Sequence, residues 1–171
     1  MKTLAAILLI VLYMIFVSGP DARVQAQDKK ISKKDVPAVV LTAFQKAYPN
    51  AKIRGFLTET EGGKTYYEIE SVEGKKTIDA LVQPDGTIYE VEEGVQSKDL
   101  PAAVTATVAA KYPKGKIESK AEKTTQGTNV TYDLTVTAGK SKVGLIIDSN
   151  GKILKETKKS AKKEKEEKEE D

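Results

Sequence analysis

The chain has no histidine, cysteine or tryptophan among its 171 residues, and only three phenylalanines and seven tyrosines. Without histidine or cysteine, charge-relay nucleophiles, thiol chemistry and ordinary zinc or copper sites are closed to it. No disulfide can brace the fold either. Charge is close to balance: the formal net charge is +3, and setting aside residues 1–26 with Lys2, Arg23 and Asp21 leaves +2. That excess is too small for a nucleic-acid footprint. No glycine-rich loop leads into a helix in the way that cradles phosphate, because Gly62-Gly63 joins two extended runs. No cofactor and no metal site are expected: Asp85-Gly86 and Asp148-Ser149-Asn150-Gly151 read as turns and lack the calcium-loop pattern. Asn129-Val130-Thr131 matches a glycosylation sequon inside a predicted strand and is read as a chance match.

The flanks read differently from the middle. Lys2 precedes an apolar run from Leu4 to Val17, and a polar stretch ends in Val24-Gln25-Ala26. The run is shorter than the roughly 18 to 20 residues of a membrane-crossing helix, so residues 1–26 are expected to be a cleavable secretory signal peptide. Residues 27–34 form a basic linker with Lys29, Lys30, Lys33 and Lys34. Residues 157–171 are a Lys/Glu-rich tail with no apolar face to bury, expected to be solvated and disordered. The expected location is periplasmic or secreted, with no cysteine to carry a lipid and no stable membrane anchor after cleavage.

The middle of the chain says the same thing twice. Asp35-Val36-Pro37-Ala38-Val39-Val40, then Tyr48-Pro49 and Lys52-Ile53, return about 64 residues later as Asp99-Leu100-Pro101-Ala102-Ala103-Val104, Tyr112-Pro113 and Lys116-Ile117. Further on, Tyr67-Glu68 matches Tyr132-Asp133, and Pro84-Asp85-Gly86-Thr87-Ile88 matches Ser149-Asn150-Gly151-Lys152-Ile153. The organisation predicted is a first repeat over 35–94 and a second over 95–156. A unit of about 60 residues is marginal alone, so the two should pack together.

Each repeat opens with a helix. Val36, Val40, Phe44 and Ala47 recur at helical spacing, as do Leu100, Val104, Val108 and Lys111 or Tyr112. Pro37 and Pro101 suit the first turn, Asp35 and Asp99 suit the positive end of the helix dipole, and Pro49 and Pro113 stop the helices. Four short strands follow each helix: 52–59, 64–71, 75–82 and 87–92, then 116–123, 129–137, 140–147 and 152–156. Glycine and asparagine turns between them allow only antiparallel neighbours. The predicted fold class is therefore α+β, a tandem duplication of an αββββ unit with each helix on an antiparallel four-stranded sheet.

Alternation sorts side chains between the sheet faces. Tyr67, Ile69, Ile78, Ala80, Val82 and Ile88 are predicted under the first helix, and Tyr132, Leu134, Val136, Val143, Leu145, Ile147 and Ile153 under the second. The other face carries Tyr66, Glu68, Glu70, Asp79, Leu81 and Tyr89, with Thr131, Asp133, Thr135, Ile146 and Leu154 in the second repeat. Tyr66, Glu68, Glu70 and Tyr89 are the candidate partner-binding residues, since tyrosine offers large contact area at low entropic cost. Glu68, Glu70, Asp79 and Glu90 are the only candidates for an acid and base pair. Exposed alternating glutamates more simply serve solubility and guard strands against unwanted pairing, so no catalytic residue is assigned.

The helix pattern of Leu/Val-Pro-Ala before a valine, the Tyr-Pro that closes it, and the antiparallel strands ending in a Pro-Asp-Gly or Asn-Gly hairpin resemble the PepSY-like domain family related to the beta-lactamase inhibitory protein fold. The resemblance spans nearly all of 34–156. It implies paired αββββ units that present a sheet surface to another protein, and a non-enzymatic, exported protein-binding module that restrains an extracytoplasmic enzyme such as a protease or hydrolase. The alternative expectation is an envelope protein that binds a cation or small ligand on the acidic sheet face, and the least favoured is carboxylate catalysis.

Overall fold

The computed structural model describes residues 29–61 and 63–159. The expected signal peptide and the last twelve residues of the expected tail lie outside the described residues. Helix α1 spans Ala38–Ala47 and α2 spans Ala102–Lys111. The strands are β1 (Lys29–Lys30), β2 (Lys52–Glu61), β3 (Lys64–Glu73), β4 (Lys76–Val82), β5 (Ile88–Gln96), β6 (Lys116–Gln126), β7 (Asn129–Ala138), β8 (Ser141–Asp148) and β9 (Ile153–Lys159). Among the described residues they form one antiparallel sheet in chain order, β1 to β9. Over the described residues the fold is α+β, with a nine-stranded sheet and two α-helices.

The helices form where the periodicity places them. Val40 and Phe44 of α1 and Val104 and Val108 of α2 are buried, and the cap amides of Tyr48 and Tyr112 close the last turns on Phe44 O and Val108 O at 2.8 Å. The starts differ from expectation. A 3-10 turn precedes each helix, over Lys33–Asp35 and Ser97–Asp99, and Pro37 and Pro101 occupy the N-cap positions. Asp35 accepts hydrogen bonds from Ser32 N and Oγ, at 3.2 and 2.7 Å, so its carboxylate fastens the 3-10 turn.

Two further differences lie at the sheet's margins. Lys29 and Lys30 of the expected linker pair with Thr58 and Leu57 as a two-residue edge strand. Thr157, Lys158 and Lys159 of the expected tail continue β9 against Gly144, Val143 and Lys142. In both places backbone pairing overrides a polar, lysine-rich composition, because an open sheet edge offers unsatisfied amides and carbonyls whatever the side chains are.

Among the described residues, two separate cores lie under the helices. Val36, Val40, Phe44, Ile69, Ile78, Ala80, Val82 and Val91 make the first, and Leu100, Val104, Val108, Tyr132, Leu134, Val136, Val143, Leu145 and Ile147 the second. The face assignment read from alternation holds for every one of these strand residues it covered. The cores are joined through the pairing of β5 with β6, from Val91 opposite Thr125 to Gln96 opposite Lys120. The two groups of strands thus meet edge to edge, and among the described residues no second layer lies on the sheet face away from the helices.

Candidate functional site

The register of the sheet decides what stands beside what on that open face. Glu70 of β3 is directly opposite Asp79 of β4, Asp79 is directly opposite Glu92 of β5, and Glu122 of β6 is directly opposite Asp133 of β7. One row along, Leu81 of β4 stands between Glu68 and Glu90. Glu59 of β2 is opposite Tyr66. Like charges placed directly opposite oppose strand pairing, yet this sheet sets three carboxylate pairs that way.

Burial makes the arrangement more demanding. Glu59, Glu68 and Glu90 are 5, 9 and 4 % exposed, although both described helices lie on the other side of the sheet. Register shifts interrupt the pairing at Ile53/Gly55, Leu81/Val82 and Ile117/Ala121, the kind of irregularity that bends a strand locally. Gln126 Nε2 donates to Glu90 Oε2 at 3.3 Å. Loss of water around Glu92 pushes its carboxyl up to about 9, helped by the charges of Glu122, Glu90, Asp79 and Glu68. Glu122 is pushed up to about 7 by burial, then by Asp133, Asp79 and Glu90. Asp79 is raised to about 6, chiefly by burial, against a lowering hydrogen bond from the Ser71 backbone and with a further push from Glu70.

The four residues proposed from sequence all lie on this face. Tyr66 is buried at 4 % exposure and stacks on half-buried Tyr89, with ring centroids 4.6 Å apart and planes 30° from parallel. Tyr66 is therefore a support for Tyr89, which presents the more accessible ring. A bulge explains how Tyr89 arrives there. Val82 pairs with Ile88 and Leu81 with Glu90, so Tyr89 is the extra residue, and Ile88 faces the core while Glu90 faces away. The same interruption between Ile146 and Ile147 leaves Leu154 as the extra residue of β9. Glu70 lies over Gly55, where an added Cβ would collide with its carboxylate.

Sequence reasoning missed Glu59, Glu92 and Glu122, and left Asp133 outside the candidates. Glu92 was within reach, being two residues from Glu90 on one strand. Glu122 was not, because it joins the group only through the pairing of β5 with β6. Among the described residues, no group of three or more carboxylates is arranged to hold a metal ion. No described helix is long and apolar enough to cross a membrane.

A sequence model of the family described as "Putative beta-lactamase-inhibitor-like, PepSY-like" matches residues 19–89 and 65–155. The chain belongs to this PepSY-like family. The family's description is of an inhibitor-like domain and names no reaction. Similar solved structures include a DUF2874-family protein of Bacteroides uniformis, with 16 % identity, a TM-score of 0.57, and coverage of 71 % of this chain and 88 % of that one. A protein of Bacteroides eggerthii described as "putative periplasmic" has 19 % identity and a TM-score of 0.57, over 72 % and 88 % of the two chains. A BLIP-like protein of Bacteroides fragilis has 22 % identity and a TM-score of 0.55, over 71 % and 86 %. These likenesses are likenesses of fold. No curated protein matches the chain.

Proposed function

We propose that this PepSY-like chain is an exported, non-catalytic binding module that recognises a basic surface of another extracytoplasmic protein, and restrains that protein where it is a protease or hydrolase. The observation that carries this reading is the open sheet face, where Glu68, Glu70, Asp79, Glu90, Glu92 and Glu122 gather beside the Tyr66–Tyr89 stack. A lysine or arginine brought against this group would favour the charged form of its raised carboxyls and offset the repulsion between them, and complementary charge chiefly sets specificity and encounter rate. Tyr89 would supply the ring contact, held by Tyr66.

Export is supported by Lys2 and the apolar run after it, and agrees with the "putative periplasmic" description of the B. eggerthii protein. Tandem duplication of one αββββ unit is the origin we infer. The recurrence of Asp-x-Pro-Ala, Tyr-Pro and Lys-Ile supports it, as does the order of one helix and four strands that follows each recurrence.

A photo-crosslinking amino acid placed at Tyr89 of residues 27–171, exposed to the native host's envelope fraction, tests the reading. The expected result is one adduct that is lost when Glu70→Lys is added. The same label at exposed Val39 on α1 should yield none of it. Adducts that are equal from both positions, or unaffected by Glu70→Lys, would move recognition off this face. Added calcium that raises the melting temperature would instead favour the cation-binding reading.

A further inference from the structure

We propose that the β5–β6 seam is a proton-operated joint: it is closed while Glu92 and Glu122 carry protons, and it opens as both become charged, changing the angle between the two cores.

The seam has two unlike faces. On the helix side, Glu93 of β5 takes Lys76 Nζ on Oε1 at 2.7 Å and Lys123 Nζ on Oε2 at 2.9 Å, so a carboxylate of the first core grips a cation of the second. On the open side, Glu92 is opposite Thr124 and Glu122 is opposite Gly94, which makes the two carboxyls diagonal neighbours across the seam. Attraction holds one side of the pairing and repulsion acts on the other, which is the arrangement of a hinge.

The groups facing the pair come from every neighbouring strand. Glu68 and Glu70 stand on β3, Asp79 on β4, Glu90 on β5 and Asp133 on β7, and Glu59 of β2 lies beyond Tyr66. Asp148 of β8 is opposite Thr131 and accepts from the amides of Asn150 and Lys152 in its own turn. The cations on this face lie at its margins. Lys64 is opposite Glu61, Lys120 is at the end of the seam opposite Gln96, Lys142 pairs with Glu118 at 3.0 Å, and Lys155 is two strands beyond Asp133. Each facing neighbour of Glu92 and Glu122 named above in strands β3, β4, β5 and β7 that bears a charge is an acid. The elevated titration of both carboxyls is the expected consequence, and it places the change between neutral and mildly alkaline pH.

The buried members of the two cores are distinct, and Val95 of β5 packs on the second core from across the seam, on the same side as the Glu93 bridges; opening on the acidic face can therefore tilt one helix-covered block against the other about that retained contact. The joint needs no partner, and its test uses the isolated protein. It can fail while the binding proposal stands.

A chain without cysteine permits clean site-directed spin labelling. Labels at Gln45 on α1 and Ala110 on α2, both exposed, report the distance between the blocks in residues 27–171. A pair at Gln45 and Lys75 stays within the first block. The expected result is a narrow inter-block distribution at pH 6 that shifts or broadens by several ångströms at pH 9, with the within-block pair unchanged. In the Glu92→Gln/Glu122→Gln background, which mimics the protonated forms, the pH 6 distribution should persist at pH 9. Glu122→Gln alone should reduce the change. An inter-block distribution that is the same at both pH values would overturn the joint. So would a shift that survives both substitutions, or an equal shift in the within-block pair.

Discussion

Lys123 Nζ lies 2.9 Å from Glu93 Oε2, so a cation of β6 is held by a carboxylate of β5 where the two cores join. Lys76 closes on the other oxygen at 2.7 Å, and the Glu93 side chain is only 17 % exposed. Burial pushes the Glu93 carboxyl up, but hydrogen bonds from Lys76 and Lys123 outweigh it and hold the group below its ordinary value. Both lysines are about a third exposed or more, so solvent screens the bridge and Glu93→Gln should cost about 1 kcal/mol. A depressed carboxyl contributes stability above its unfolded value and loses it as pH falls through the folded one. The difference between wild type and variant in urea midpoint should be present at pH 7 and vanish well below pH 4.5, the ordinary value for a glutamate. A constant difference would assign the loss to packing.

The opposite sign applies on the open face. Glu92, Glu122 and Asp79 bind protons more tightly in the folded chain, with values near 9, 7 and 6. Groups raised in this way contribute most below their unfolded values, and the contribution disappears as pH rises through the folded ones. Stability should therefore decline from about pH 5 to pH 9, against the more usual maximum between roughly pH 5 and 8. Glu92→Gln should flatten the upper part of that decline and raise the urea midpoint at pH 9. A wild-type midpoint that holds steady or climbs over this range would show that the carboxylates are relieved by solvent or by one another.

The sequence made the cores legible and the acidic face only half so. Val40 and Phe44, or Ile69, Ala80 and Val82, announce their side through a period that needs no knowledge of other strands. The grouping of Glu92 with Glu122 depends on which strand β5 pairs with, and a pairing between strands separated by a helix has no local signature. The bulge at Tyr89 is similar. Its alternation places Ile88 correctly, but continuing the period would send Glu90 toward the core, and only the slipped register with Leu81 and Val82 keeps it outside. Lys29–Lys30 and Thr157–Lys159 show the limit from the other side, since composition argued against strands that an available edge then formed.

The stack of Tyr66 on Tyr89 should be measurable as a coupling. Tyr66→Ala removes a buried ring and is expected to cost about 3 kcal/mol, near the lower end for loss of an aromatic side chain. Tyr89→Ala, at a half-buried position, should cost less. The double variant should recover about 1 kcal/mol of the summed loss, the usual worth of an aromatic pair beyond its buried area. Denaturant titration of the four proteins gives the cycle. Additive losses would mean that the rings are packed independently and that Tyr66 does not position Tyr89.

Gly151 carries a different constraint from Gly139, although both have positive φ, at 87° and 64°. Gly139 turns in open space, with nothing within 4 Å of where a Cβ would stand. A Cβ at Gly151 would stand 2.7 Å from Ala103 O and 2.8 Å from Thr107 Oγ1. The Thr107 hydroxyl also donates to Gly151 O at 2.7 Å, fastening the β8–β9 turn to α2. Gly139→Ala should therefore cost only the left-handed penalty of an L residue, about 1 to 2 kcal/mol. Gly151→Ala adds the displacement of the turn from the helix, and the total should exceed about 3 kcal/mol. Thr107→Val in the Gly151→Ala background should then cost little more, because the hydrogen bond it removes is already displaced. A full additional loss would show that the turn stays seated on α2 and that the strain lies in the backbone alone.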